Sequence, residues 1–218
     1  MVIDGRMLGS VVHRRVERER DLDRAALVAR AAPWIHAAGL PFADWFYGSH
    51  EIARELIEAA MARRTSELSI ERAILQMEDG AYSGCAIAMS GAELAHCRRG
   101  DFAEFCEELG SGPEAEEVIA DVVKVGNQLF SPVDPDDYYL SRIGVAENRR
   151  GRGLGKRLLE ETIALAREKR HARLRLDVSA DNSSAVELYR AFGFTIVSKN
   201  VSPESELEYL AMSLDLTR

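Results

Sequence analysis

Residues 147–161 read ENRRGRGLGKRLLEE. The second half of this stretch opens an amphipathic helix over about 154–169. Leu154, Leu158, Leu159, Thr162, Ile163 and Ala166 recur at helical spacing and form a wide apolar stripe. A helix N-terminus carries partial positive charge and favours acids. Yet Arg149, Arg150, Arg152, Lys156 and Arg157 crowd this one, with Gly151, Gly153 and Gly155 between them. A helix start leaves about four backbone N–H groups unpaired, and glycine lets a ligand approach the backbone closely. The combination predicts an anion site, with phosphate as the usual guest. A bound pyrophosphate would turn the crowding of cations from a cost into a gain. The plain alternative is an exposed basic loop.

Two common phosphate loops do not fit. A P-loop requires G-x-x-x-x-G-K-[ST], but Arg150 stands at the first glycine and Arg157 at the Ser/Thr. A dinucleotide fingerprint requires G-x-G-x-x-G, and Lys156 occupies its third glycine.

Charge is unevenly distributed. The net charge of −8 argues against a general nucleic-acid binder. Between Arg142 and Arg175 there are 11 Lys or Arg against 4 acids, whereas Asp101 to Asp121 holds 8 acids and no base. This split suggests a ligand with differently charged parts, or simply solvated faces. Cys85, Cys97 and Cys106 share no C-x-x-C spacing, and Cys85 lies in an apolar run. His13, His36, His50, His96 and His171 are scattered without ligand spacing, so no metal is expected. No apolar run reaches membrane-spanning length and the N-terminus does not read as a signal peptide, so a reduced, cytoplasmic setting without membrane attachment is expected.

Along the chain, 11–17 reads as a strand. DLDRAALVARAAPWI from Asp21 reads as a helix that Pro33 would end or bend, and 39–49 as an aromatic loop. Residues 50–64 form a helix. Glu78-Asp79-Gly80-Ala81 joins two apolar runs as a hairpin. Residues 91–130 turn helical and acidic, broken at Gly110, Gly112 and Pro113. Strands follow at 138–145 and 173–179 around the glycine loop and its helix. A short helix after Asn182 and a final antiparallel pair close the chain. Strand–helix–strand over 138–179 implies a parallel pair. The fold class is α/β (α+β), with a mixed, mostly antiparallel sheet flanked by helices in one domain over 1–218.

The loop Arg150-Gly151-Arg152-Gly153-Leu154-Gly155 fits R/Q-x-x-G-x-G/A and follows the strand ending Ile143-Gly144-Val145. Downstream, Asn182, Ala185, Leu188, Tyr189, Gly193 and Phe194 fit N-x-x-A-x-x-L-Y-x-x-x-G-F. The two motifs together resemble the GCN5-related N-acetyltransferase (GNAT) superfamily. The resemblance is sharp over about 138–197, plausible by element order over 11–90, and absent over 91–130, which reads as a helical insertion.

The resemblance implies that acetyl-coenzyme A (acetyl-CoA) is the co-substrate and that an amine is the acceptor. The coenzyme would lie in a V-shaped opening between strands 138–145 and 173–179. Its pyrophosphate would rest on the N–H groups of Arg150, Gly151, Arg152, Gly153, Leu154 and Gly155, beside Lys156. Its pantetheine arm would pair along Ile143, Gly144 and Val145, with the N–H of Val145 or Ile143 polarising the thioester carbonyl. Asn182 and Ala185 would meet the arm, Asn182 also serving as an N-cap. Tyr189 would be the general acid to the departing thiolate.

The proton acceptor is open. Some relatives use a Glu where Tyr139 stands. Ribosomal-protein alanine acetyltransferases use one corresponding to Asp177, which is the candidate base; its alternative is a structural role with Arg173 or Arg175. A water relay through Tyr138 or Glu104 is a third route. If the acidic segment (Glu104, Glu107, Glu108, Glu114, Glu116, Glu117) covers the acceptor cleft, it would attract a cationic amine or polyamine. Trp34, Pro41, Phe42, Trp45, Phe46 and Tyr47 could line the same cleft, though the aromatics read first as core. A non-catalytic acetyl-CoA sensor and a protein N-terminal acetyltransferase are the competing readings. A homodimer is compatible with the sequence, and nothing in it demands one.

Overall fold

The structure, a computed structural model, describes residues 13–15 and 21–217. Over these residues the strands form one seven-stranded sheet in the order β1-β2-β3-β4-β5-β7-β6. The strands are β1 (His13–Arg15), β2 (Ala73–Glu78), β3 (Ala81–Ser90), β4 (Tyr138–Val145), β5 (Arg173–Ser179), β6 (Thr195–Ser202) and β7 (Leu207–Asp215). Every pairing is antiparallel except β4 with β5. The remainder of the strand expected over 11–17 lies outside the described residues.

Period-2 alternation assigns the strands' side chains to two cores. Leu75, Cys85, Ile87, Met89 and Tyr139 point to one face. Helices α1 (Asp21–Ala38), α3 (His50–Ala62) and α4 (Gly91–Leu109) cover it with Leu27, Ile35, Ile57, Met61 and Leu94. Ile74, Ala86, Ala88, Tyr138, Leu140, Leu174 and Leu176 point to the other, where α6 (Leu154–Glu168) and α7 (Ser183–Ala191) pack. The stripe on α6 is buried as its spacing predicts: Leu154, Leu158 and Leu159 are at most 1% exposed. Cys85 is core, and burial pushes its thiol up to about 12. The β2–β3 turn is closed by Asp79 and Gly80, both at positive φ, as a two-residue hairpin requires.

One of two alternatives is excluded and one local expectation is corrected. Pro33 does not end α1, which runs on to Ala38; Trp34, Ile35 and His36 beyond it are all buried, and their packing offsets the lost backbone bond. The aromatic stretch 39–49 is not all loop: Phe42–Tyr47 forms the short helix α2, which ends at Gly48 in the left-handed region. Helix α4 and helix α5 (Pro113–Leu129) occupy the acidic stretch between β3 and β4. Val125 and Leu129 of α5 pack on Tyr209 of β7 with Phe42, Trp45 and Phe130 against them.

The feature that shapes the site is the divergence of β4 and β5. Their parallel pairing lasts for Tyr138 with Leu174 and Tyr139 with Arg175, and no further. Opposite Ile87 and Ala88 the β4 register skips Ser141, so β4 carries a bulge there. A bulge bends its strand and strengthens the local twist, and it sits just beyond the last β4–β5 pair. β5 stays with β7 as far as Ser179. Leu140 to Val145 therefore present an edge that β5 does not cover.

Candidate active site

A cleft fills the gap between the diverging strands. β4 lines it with Tyr139 to Ile143, β5 with Asp177, Val178 and Ser179, and α7 with Asn182, Ala185 and Tyr189. The far wall is built from Ala38 to Leu40, Phe42, Phe130 and Tyr209. Phe42 meets the Phe130 ring edge-on at 4.8 Å, and its backbone N–H donates to the Tyr209 hydroxyl at 3.3 Å. One of the aromatics read first as core, Phe42, is thus part of the cleft.

At one end of β4 lies the glycine loop. Gly151 and Gly153 have φ of 76° and 79°, and a Cβ on either would meet nothing within 4 Å. Gly153 therefore serves as a left-handed N-cap to α6 without closing its end, since it offers no capping side chain. Among the described residues, the N–H groups of Gly151 to Lys156 have no backbone carbonyl partner. Leu154 is buried, at 1% exposure. Gly144 has a different reason to be glycine: a Cβ there would lie 2.4 Å from the carbonyl oxygen of Trp34, because α1 crosses β4 at that point.

The cations around the loop divide into two sets. Arg149 pairs with Glu78 at 3.0 Å and Asp79 at 3.2 Å, and Arg152 approaches Glu78 at 3.8 Å. The β2–β3 hairpin thus offsets part of the crowding that a bound anion alone was expected to relieve. Arg150 leans back on the Val145 carbonyl at 3.5 Å, and Lys156 reaches Glu160 at 3.8 Å. These last contacts are exposed and weak, so both side chains can turn to an anion.

Asn182 caps α7, accepting from the Ala185 N–H at 3.2 Å and the Ser184 hydroxyl at 3.1 Å. Tyr189 is 5% exposed and packs against Phe194 at 5.6 Å. Burial pushes its phenol upward, which keeps it protonated at neutral pH.

Asp177 faces the cleft from β5. Its Oδ2 accepts from the Tyr139 hydroxyl at 3.0 Å, while Oδ1 is buried with no partner. Burial raises its carboxyl to about 6, against the opposing pull of the Tyr139 bond, Arg98 and Arg175. It forms no ion pair with Arg173 or Arg175, which turn to Asp137 at 2.6 and 3.9 Å.

A polar chain that the sequence did not suggest runs inward from Asp177. Arg98 donates to the Tyr139 hydroxyl at 3.4 Å and pairs with Glu67 at 2.9 Å; Glu67 also accepts from Ser141, the bulge residue. Burial works against the Glu67 charge, but Arg98 and Arg142 hold its pKa below the usual range. These links span 38, 41, 31 and 74 residues of sequence, so no local pattern reveals them.

The relay candidates do not reach the cleft. Tyr138 faces the opposite core and donates to the Ala88 carbonyl, and Glu104 pairs with Arg63 at 2.7 Å. None of the acids on α4 or α5 lines the cleft. Two histidines described as scattered do converge: Asp44 meets His36 Nε2 at 2.7 Å and His50 Nδ1 at 3.0 Å, and these ligand-type atoms lie within 4.8 Å of one another.

A mixed sheet opened between two parallel strands, with a glycine loop and helix start after the first of them, is the GNAT type of α/β fold. Residues 101–194 match the model of the acetyltransferase (GNAT) family. It is 29% identical to the mycothiol acetyltransferase of Clavibacter sepedonicus, covering 88% of this chain and 69% of that protein. Over 60 residues it is 42% identical to N-alpha-acetyltransferase RimI of Mycobacterium tuberculosis, 28% of this chain and 36% of that one. Among solved structures, an N-acetyltransferase from Staphylococcus aureus Mu50 shares the fold with a TM-score of 0.60 at 20% identity, over 93% of this chain and all of that one. No helix among the described residues is long and apolar enough to cross a membrane.

Proposed function

We infer that the protein is an N-acetyltransferase that uses acetyl-CoA and acts on a primary amine. The observation that carries this reading is the coincidence of three features around β4: the unpaired N–H groups of Gly151 to Lys156 in the loop that follows it, its uncovered edge, and Tyr189 with Asp177 in the cleft beside it. These features fit the coenzyme. The loop N–H groups with Arg150 and Lys156 would hold its pyrophosphate, the edge from Ile143 to Val145 its amide-bearing arm, and Asn182 and Ala185 the near end of that arm. When bound, the coenzyme supplies an acyl group activated as a thioester, whose thiol has a pKa of about 8.5 and departs readily.

The chain's own residues supply the proton inventory. A primary amine with pKa near 10 is mostly protonated at neutral pH. Asp177 Oδ1 accepts its proton, and a carboxyl of pKa about 6 is ionised and ready at pH 7. The Tyr189 hydroxyl donates one proton to the departing sulfur. An ammonium loses two protons on becoming an amide: Asp177 takes one and passes it to solvent, and the second, lost from nitrogen after attack, replaces the one that Tyr189 gives to sulfur. An N–H of Val145 or Ile143 donates to the carbonyl oxygen as negative charge develops there, an effect worth roughly 3 kcal/mol for such donors. Burial of Tyr189 keeps water from competing for its proton.

Calorimetry with acetyl-CoA and thiol release with a panel of amines test the reading together. Micromolar binding with acceptor-dependent thiol release is expected. Binding without release from any amine would indicate a sensor, and no heat on folded protein would end the reading.

A further inference from the structure

The cleft holds two polar atoms that its own walls leave unsatisfied. Asp177 and Arg142 are the only charged residues lining it among those described, one of each sign. Asp177 Oδ1 is buried and unpartnered, and so is Arg142 Nε. Arg142 Nη1 donates to the Ser141 carbonyl at 2.8 Å, but among the described residues no carboxylate comes within 4.0 Å of this guanidinium. Other arginines here behave differently. Arg63, Arg98, Arg149 and Arg173 each hold a carboxylate within 3.0 Å. Arg142 does help to keep Glu67 ionised, yet Glu67 gives its hydrogen bonds to Arg98 and Ser141. A half-buried guanidinium facing a cleft with no carboxylate in contact is costly to maintain. A ligand carboxylate would match its planar fork.

Resting on the acetyltransferase reading, we propose that the acceptor is an amine that also carries a carboxylate, an amino-acid-like zwitterion, with its nitrogen toward Asp177 and its carboxylate on Arg142. A zwitterion matches a cleft that carries one charge of each sign. A polyamine would bring a second cation toward Arg142. The cationic acceptor suggested by the acidic stretch 101–121 loses its basis, because none of those acids lines the cleft. The aromatic wall of Phe42, Phe130 and Tyr209 leaves an apolar side for the body of such a molecule.

Matched pairs of acceptors test the proposal: alanine against ethylamine, phenylalanine against phenethylamine, lysine against cadaverine. Thiol release should favour the carboxylated member by about 10- to 100-fold in kcat/KM, the discrimination expected when a charged group is left unpaired by the wrong substrate. Arg142→Met should bring this ratio close to one, and Arg142→Lys should restore part of it. Thermal shift with coenzyme A present provides a readout independent of turnover. The carboxylated member should raise Tm in the wild type but not in Arg142→Met, whose own Tm verifies its folding. Equal or better use of the decarboxylated amines, preference for an aminoalkyl phosphate, or a ratio unchanged in Arg142→Met would each overturn the proposal. If no amine releases thiol, the acetyltransferase reading fails, while the thermal-shift arm still decides whether a zwitterion binds.

Discussion

Substituting Asp177 by Asn should make the protein more stable at neutral pH, relative to acid, while removing its activity. In the fold the Asp177 carboxyl titrates at about 6 against an ordinary value of 3.8, chiefly because it is buried. The native state thus holds a proton that the unfolded chain has already released between these values. The contribution is fully present below about pH 4, is lost as pH rises to about 6, and stays lost above. A shift of about two pH units corresponds to roughly 2–3 kcal/mol. The introduced amide keeps an oxygen for the Tyr139 hydroxyl but cannot ionise. The stability difference between variant and wild type should therefore move by about 2–3 kcal/mol in the variant's favour from pH 4 to pH 7. For a chain of this size that is roughly 5–10 °C in Tm. Thermal or urea unfolding of both proteins at each pH measures it, and the subtraction removes the other carboxylates. In the wild type, kcat/KM should rise through an apparent pKa of about 6, and the variant should lose that limb together with most of its turnover. A difference in stability that stays flat with pH, or a variant with an unaltered activity profile, would refute the assignment of Asp177 as a buried base of raised pKa.

Three further outcomes follow from the same geometry. Tyr189→Phe should lower kcat by about 10²-fold while leaving acetyl-CoA affinity within a few-fold, measured by thiol release and calorimetry. Arg98→Met removes the ion-pair partner of Glu67; because Arg98 is 38% exposed the loss is discounted to about 1–2 kcal/mol, read by urea unfolding. Since Arg98 also pulls the Asp177 pKa down, the same variant should move the rising limb of the pH–rate profile upward. Gly153→Ala meets no steric clash but forces a left-handed φ of 79° on a residue with a Cβ, which should cost about 1–2 kcal/mol and weaken acetyl-CoA binding more than it weakens an amino-acid acceptor.

The chain's local chemistry was legible without coordinates. Spacing of Leu154, Leu158, Leu159 and Ile163 identifies α6, Asp79-Gly80 identifies the hairpin, and Asn182 identifies the start of α7. All of these rest on interactions between residues a few positions apart, which periodicity and capping encode directly. The glycine loop belongs with them, since the unpaired N–H groups at a helix start are a property of the backbone itself.

The arrangement of the cleft was decided by tertiary structure. The opening between β4 and β5 depends on a bulge at Ser141, whose only sequence trace is the polar pair Ser141-Arg142 within an otherwise apolar strand. Whether Asp177 serves as a base or as an ion-pair partner depends on Arg173 and Arg175 being drawn away to Asp137, and on Tyr139 arriving from β4. The meeting of His36, Asp44 and His50 comes from three different helices. Burial sets the pKa of a carboxyl and leaves an arginine without a carboxylate in contact, and burial is a sum over residues distant in sequence. A linear chain specifies which groups are available, but only the folded packing fixes which of them lose their water and which partners remain.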